Sequence, residues 1–479
     1  MKNMTVKNIT EVCGGIYYGS DDLLSKEVEG IALDSRKIEK DWLFVATIGQ
    51  KVDGHSYIAQ AAGKGAFCAL GEKAPETIGL IDKEIAYIQV KDSFQALKDL
   101  AAFYLKQLSV KVVGITGSVG KTSTKEMIAG VLAEKYHVLK TEGNFNNEVG
   151  LPLTVFRLRQ EHEVAVLEMG ISDFGEMHRL AAIARPDIAV ITNIGQCHLE
   201  NLGDRDGVLR AKTEVFDEMK PDGEVVLNGD DDKLSAVKEV HGRSPYFFHK
   251  VDCEAWTVEQ QGAAAKDHVV YGDCIVSHGL YGSQCRIHVN RAGKAESFAA
   301  DIKVPGVHQV NNALAATAVG LLFGLTNEQI RAGIAKVKPL AGRTNLMETP
   351  EYTLVDDCYN ANPVSMKAAL DLLCMANGRK VAVLGDMFEL GTDSDALHAG
   401  VGTYAAGLLV DVLCMIGPNS RHMYDAAIAA DQGLQKRYYF EDKQAFLAKK
   451  SEILQKGDTI LLKASHGMEF GELIEALKE

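Results

Sequence analysis

The stretch VVGITGSVGKTSTKEM sets a glycine-rich turn, Gly117, Ser118, Val119 and Gly120, between an apolar run and an amphipathic segment that opens at Lys121. A turn at the mouth of a helix aims backbone N–H groups and the positive end of the helix dipole at a phosphate. Lys121 adds a point charge for the β- and γ-phosphates, and the Thr122 hydroxyl is placed to ligate Mg²⁺, with Ser123 in the same helical turn. The spacing departs from the common pattern. Five residues separate Gly114 from Gly120 where the Walker pattern has four, so the operative motif is the shorter G-x-x-G-K-T. Nucleotide binding follows from this loop; the reaction does not.

Phosphoryl transfer also needs oxygen ligands for a metal, placed at the carboxyl ends of neighbouring strands in an open α/β sheet. Glu168 closes the apolar run EVAVLEMG in such a position, and a carboxylate there is costly unless it has a partner. His198 follows the run DIAVITNIG within TNIGQCHLENLGD, and Lys212 lies in the helical pattern DRDGVLRAKTEVF. Taken alone, a strand-end histidine is usually a satisfied polar residue and a helical lysine usually a solvated one. Asp356 and Asp357 end the run YTLVDDCYNANP. Two adjacent carboxylates repel, so both ionised in one site call for a cation or basic group nearby.

The elements that position these residues read as α/β. From Lys111 onward, apolar runs (KVVGIT, HVLKTE, EVAVLEMG, DIAVITNIG) alternate with amphipathic ones (KTSTKEMIAGVLAEKY, FGEMHRLAAIAR), which predicts a mostly parallel sheet covered by helices. Between about His268 and Val304 the pattern turns into glycine-punctuated hairpins, read as an antiparallel insertion, before helix resumes near Gln309. After Gly342 the alternation restarts with YTLVDDCY, KVAVLGDM, DVLCMIG and DTILLKAS, a second α/β unit of about 140 residues. The first 90 residues carry short β-like runs and look like a small α/β domain. Three domains are expected, at 1–90, 91–340 and 341–479, in keeping with a chain of 479 residues.

Composition narrows the partners. With 51 Lys plus Arg against 65 Asp plus Glu, the formal charge of −14 opposes generic binding to nucleic acid or to an anionic membrane surface. The apolar runs are too short to span a bilayer, and the opening MKNMTVKNITEV has no apolar signal segment, so a cytoplasmic location is expected. Nine cysteines without a C-x-x-C pair look like neither a disulfide framework nor a zinc site.

Taken together, DSR (Asp34, Ser35, Arg36), TGSVGKTSTKEM, GNFNNEVGLP, EMGISDFGEM, TNIGQCHLENLG, the Ala211–Lys212 pair, PGVHQVNNALAA, Gly342–Arg343, DDCYNANP, LGDMFELG and KASHGMEF closely resemble the ATP-dependent Mur ligases of peptidoglycan synthesis. The resemblance runs over essentially the whole chain. Its NANP and GNFNNEVGLP runs point to the member that adds D-alanyl-D-alanine to UDP-N-acetylmuramoyl-tripeptide. The resemblance implies a three-domain architecture, with a small N-terminal domain, a central P-loop ATPase-like domain and a C-terminal Rossmann-like domain. It implies ATP and two Mg²⁺ ions, with Gly117 to Ser123 around the triphosphate. Thr122, Glu168, His198 and Lys212 are then the metal ligands, Lys212 as a carbamate, which replaces a repelling cation with an oxygen donor. It further places Asn312 against adenine and has Arg343 and Asp357 close over ATP. Asp34, Ser35 and Arg36 fall in the UDP-holding domain, Asn146 and Asn147 near the substrate's peptide and phosphates, and Asn360 and Asn362 by the incoming dipeptide. No nucleic-acid partner or membrane insertion is implied, and a monomer is expected.

Two positions depart from the family pattern: Gln309 stands between His308 and Asn312 where an asparagine is usual, and His466 stands where relatives often have arginine. Neither touches the expected metal ligands. The rival readings are a ligase of the same fold, either the enzyme that forms the muramyl-tripeptide or a folylpolyglutamate synthase, and a nucleotide-dependent switch. The first usually carries an Asn-Pro-Arg-type motif not found here, the second lacks a DSR-containing domain, and a switch has no use for the DDCYNANP unit.

Overall fold

Parallel strands buried on both faces need helices on each side, and the apolar runs of this chain end up in such sheets. The computed structural model describes residues 1–49, 52–79, 85–251, 268–291, 293–430, 433 and 435–478. Its contacts form two compact units, one of Met1–Thr116, Lys135–Val190 and Ala211–Val225, the other of Gly117–Glu134, Ile191–Arg210 and Val226–Glu479.

In the first unit, a five-stranded sheet runs in the order Ile16–Tyr18, Ala86–Gln89, Cys68–Gly71, Leu43–Val45, Ile31–Ala32. All its pairs are parallel except the first, where Ile16–Tyr18 lies antiparallel to Ala86–Gln89. Phe44, Ile58, Ala69 and Tyr87 form its core, and the helix Ser93–Lys106 follows with Asp92 as its N-cap, accepting from the N–H groups of Phe94 and Gln95. The same unit holds the strand Lys111–Thr116, paired in parallel with Val164–Glu168, which pairs in turn with Val138–Lys140. In strand order Ile188–Ile191 flanks Lys111–Thr116 on the other side. The chain thus crosses from Lys111–Thr116 to Val138–Lys140 on one side and later from Val164–Glu168 to Ile188–Ile191 on the other. In open α/β sheets such a reversal of strand order marks the carboxyl end of the strands as the ligand side.

In the second unit, the helix Lys121–Leu132 lies against the helices Gln309–Leu322 and Asn327–Lys336. Tyr246–Lys250 pairs in parallel with Val269–Ser277, and from there the strands Ser283–Arg291 and Lys294–Ile302 continue antiparallel, as the hairpin pattern of this stretch predicts. A six-stranded sheet follows in the order Asn345–Glu348, Thr353–Asp356, Thr459–Lys463, Lys380–Gly385, Val412–Ile416, Lys436–Phe440. Alternate residues of its parallel strands face two separate cores: Val355, Ala382, Leu384 and Met415 on one side, Leu354, Val381, Val383 and Leu462 on the other. Burying each of these Val, Leu and Met side chains stabilises by about 1.5–3 kcal/mol.

Four strands add to those read from the sequence: Glu224–Asn228, Tyr246–Lys250, Asn345–Glu348 and Lys436–Phe440. The last three are only partly buried, so their apolar runs are interrupted by polar residues. The helix opening at Lys121 ends at Leu132, four residues before the amphipathic pattern does. The eight described cysteines are free; Cys253 lies outside the described residues. Among the described residues, no helix is long and apolar enough to cross a membrane.

Candidate active site

The phosphate loop is built as its sequence demands. Strand Lys111–Thr116 is buried from Val112 onward, and the chain leaves it through Gly117 at φ 145°. A Cβ on Gly117 would lie 1.9 Å from Thr192 Oγ1, so only glycine fits. Gly120, at φ 84°, is the N-cap of the helix Lys121–Leu132. The turn is held from one side by the segment after strand Ile188–Ile191. Ser118 N–H donates to Asn193 O at 3.1 Å and Val119 N–H to Asn193 Oδ1 at 2.9 Å. Val119 O accepts from Thr192 Oγ1 at 2.7 Å and from Asn193 Nδ2 at 2.9 Å, and Gly195 N–H donates to Ser118 Oγ at 2.8 Å. These bonds leave a rigid cradle with Lys121 Nζ over it, donating to Gly117 O at 2.8 Å.

The helix is tied in turn to later elements. Thr124 Oγ1 donates to Asn312 Oδ1 at 2.7 Å, and Asn312 Nδ2 donates to Gln309 Oε1 at 2.6 Å. Gln309 thus engages Asn312 through its own amide, while Asn312 is anchored to the phosphate-loop helix. A shallow, open cleft lies beside this helix, lined by Ser123, Glu126, Gln309, Leu340 and Arg343 among others. Arg343 Nη2 donates to Thr122 Oγ1 at 3.1 Å, and its guanidinium carbon stands 3.7 Å from the centroid of the Tyr359 ring.

His198 follows the same anchoring segment, in a left-handed conformation at the start of the short helix Leu199–Leu202. Its Nδ1 is 3.3 Å from Glu389 Oε2. Asp356 and Asp357 end the strand Thr353–Asp356 and grip the segment 342–344. Asp356 Oδ2 accepts from Gly342 N–H at 2.7 Å, and Asp357 Oδ1 accepts from Thr344 N–H at 3.0 Å. The basic group that the adjacent carboxylates call for is Lys463, whose Nζ donates to Asp357 Oδ2 at 2.6 Å. Asn360 Oδ1 accepts from Ala361 N–H at 2.8 Å. Asn362 is the N-cap of the helix Pro363–Cys374: its Oδ1 accepts from Ser365 N–H at 2.9 Å, and Ser365 Oγ accepts from Asn362 N–H at 3.0 Å. His466 stacks obliquely near Tyr359, ring centroids 5.7 Å apart.

In the first unit, Glu168 is 2 % exposed at the end of its strand and accepts from Asn146 Nδ2 through Oε1 at 2.9 Å. Asn147 Oδ1 accepts from Gly150 N–H at 2.8 Å and so starts the helix Gly150–Val155. Lys212 is buried. Asp34, Ser35 and Arg36 form a single tight turn. Arg36 reaches back to Asp34 at 2.9 Å through both Nε and Nη2, and this pairing pulls the Asp34 carboxyl down to about 2. Ser35 Oγ donates to Gln60 Oε1 at 2.8 Å.

The glycine cradle and the hard-oxygen donor Thr122 at the head of its helix fit a nucleotide triphosphate with Mg²⁺. Among the described residues, no three His, Cys, Asp or Glu groups cluster as a metal site; the expected ligand set holds only two such residues, with a hydroxyl and a lysine beside them. Sequence reasoning leaves Thr124, Asn193, Tyr359, Glu389 and Lys463 without a role. Each lies inside a quoted motif, yet its partner comes from a distant segment.

The Mur ligase middle domain matches residues 115–320, the Mur ligase glutamate ligase domain 342–466, and the Mur ligase family catalytic domain 27–105. The chain is 36% identical to the UDP-N-acetylmuramoyl-tripeptide--D-alanyl-D-alanine ligase of Bacillus subtilis, covering 100% of this chain and 99% of the relative. It is 32% identical to the protein of that name from Escherichia coli, over 100% and 99%. The crystal structure of MurF from Acinetobacter baumannii superposes with a TM-score of 0.84 at 30% identity, covering 99% of this chain and 98% of that one. MurF from Thermotoga maritima in complex with ADP gives 0.77 at 28% identity, over 94% and 97%. With three family domains in order and end-to-end relatives above 30% identity, the chain belongs to the Mur ligase family and has its three-domain fold.

Proposed function

We propose that the chain is an ATP-dependent ligase that joins D-alanyl-D-alanine to UDP-N-acetylmuramoyl-tripeptide, forming the pentapeptide precursor of peptidoglycan. The observation that carries this is the end-to-end match to relatives of that name at up to 36% identity. The phosphate loop, held rigid by Thr192 and Asn193, supports the use of ATP.

A carboxylate is a poor electrophile at neutral pH, so the reaction begins with activation. The substrate's terminal carboxylate oxygen attacks the γ-phosphorus of ATP, the bond to the β-bridging oxygen breaks, and ADP leaves. The amine of D-alanyl-D-alanine then attacks the carbonyl carbon of the acyl phosphate, phosphate departs, and the amine loses a proton. Lys121 and the positive end of the helix Lys121–Leu132 neutralise charge on the phosphates as it shifts. Thr122, Glu168, His198 and a carbamylated Lys212 would hold two Mg²⁺ ions, which would supply further charge neutralisation. Asn312 meets the adenine, while Arg343 and Asp357 close over the nucleotide. Asp34, Ser35 and Arg36 take the UDP end, Asn146 and Asn147 the peptide and phosphate part, and Asn360 and Asn362 the dipeptide. These roles fall to domains at 1–90, 91–340 and 341–479 of a cytoplasmic monomer.

The test is phosphate release from ATP with UDP-N-acetylmuramoyl-tripeptide present, with and without D-alanyl-D-alanine, while the nucleotide product is followed by mass. Dipeptide-dependent release with a product one dialanine unit heavier supports the reading. Release that ignores the dipeptide, or none, refutes it.

A further inference from the structure

Lys463 is a buried lysine to which the reaction above gives no task. It ends Thr459–Lys463, a central strand of the six-stranded sheet, and is 2 % exposed. Its ammonium group has three acceptors within reach: Asp357 Oδ2 at 2.6 Å, Asn360 O at 3.0 Å and Asp357 O at 3.4 Å. Three donors thus meet three acceptors, all in the turn that ends the neighbouring strand.

The other oxygen of Asp357 faces away from the lysine, onto Thr344, accepting from its N–H at 3.0 Å and lying 3.3 Å from its Oγ1. Thr344 sits at φ 53°, a conformation that a β-branched residue rarely adopts, and Gly342 sits at φ 73°. The segment 342–344 therefore keeps this path only while something external holds it. Asp356 takes the N–H of Gly342, Tyr359 N–H donates to Gly342 O at 3.0 Å, and the Tyr359 ring carries the guanidinium of Arg343. Arg343 reaches Thr122 of the phosphate loop from this clasp. Without a cation, two successive carboxylates would repel each other and loosen the turn.

We infer that Lys463 is a positioning residue of the nucleotide site, acting through Asp357 and the Gly342–Thr344 segment to hold Arg343 at Thr122. The inference rests on the reading of residues 117–122 as a nucleotide loop. It does not need bond formation, so its ADP titration stands even where the ligase reading fails.

ADP and UDP-N-acetylmuramoyl-tripeptide are titrated calorimetrically into the wild-type chain, Lys463→Met, Asp357→Asn and the double variant. Lys463→Met should weaken ADP roughly 10- to 100-fold while tripeptide affinity stays within about twofold, because the displaced group is the arginine at the loop. The double variant should be no weaker for ADP than Asp357→Asn, since Lys463 acts only through Asp357. Lys463→Arg keeps the charge and serves where the methionine variant does not fold; it matches fewer of the three acceptors and should show the same selective loss, smaller in size. Unchanged ADP affinity, ADP and tripeptide affinities falling together, or a double variant losing the product of the single effects would each overturn the assignment.

Discussion

Gly117→Ala is the sharpest single test of the phosphate loop. The added methyl would lie 1.9 Å from Thr192 Oγ1 and 3.1 Å from Thr192 Cβ, and the gap to the oxygen must widen to about 3.4 Å before contact is ordinary. Rotating Thr192 away loses its bond to Val119 O, worth about 1 kcal/mol. Alanine at φ 145° adds roughly 1–2 kcal/mol of backbone strain. If the loop moves instead, the N–H groups shift by more than an ångström, a misplacement that costs about 100-fold in function. ADP affinity by calorimetry and melting by circular dichroism read the two parts separately. Thr192→Ala in the same chain removes the clashing oxygen, so the double variant should regain about tenfold in ADP affinity over Gly117→Ala alone. A double variant that binds no better than Gly117→Ala would refute this account of the loop.

Lys121→Ala should lower turnover by roughly 10²–10³-fold or more through lost phosphate charge, checked by phosphate release. Lys212→Ala should also be inactive but partly recover with short carboxylic acids that replace the carbamate; no recovery at any concentration counts against the modification. The Asp34 carboxyl is held near 2 from an ordinary 3.8, chiefly by its hydrogen bond to Arg36. A depressed value means that this pairing is fully present above about pH 4 and lost as pH falls toward 2, and Arg36→Gln should raise the Asp34 titration part of the way back toward 3.8 in a carboxyl NMR experiment, the backbone N–H of residue 36 keeping the rest. Asn362→Ala should destabilise by about 1 kcal/mol through loss of the helix cap, whereas Asn362→Asp keeps the cap. A raised KM for the dipeptide in the aspartate variant, with unchanged melting, separates substrate contact from capping.

Much of the fold was legible because parallel strands buried on both faces write continuous apolar runs: KVVGIT, EVAVLEMG, KVAVLGDM and DTILLKAS all became strands. Strands Tyr246–Lys250 and Lys436–Phe440 escaped because their partial burial leaves Lys, His and Arg among the aromatics. At the site, the glycine turn and Lys121 were readable from local spacing alone. Asn362 was singled out for the dipeptide, and its side-chain oxygen caps a helix; Asn147 likewise starts one. Asn and Asp serve as helix caps and as ligand contacts with the same atoms, so residue type alone does not separate the two.

The sequence by itself determined the nucleotide loop, the alternation of strand and helix, the antiparallel insertion and the family, because each is written in residues close together along the chain. Only the tertiary structure decided what holds these parts in place. Asn193 fastens the loop from 74 residues away, Thr124 meets Asn312 across 188, Arg343 reaches Thr122 across 221, and Lys463 answers Asp357 across 106. Hydrogen bonds and ion pairs of this kind depend on distances set by sheet order and helix packing, and neither has a signature in any single stretch of sequence.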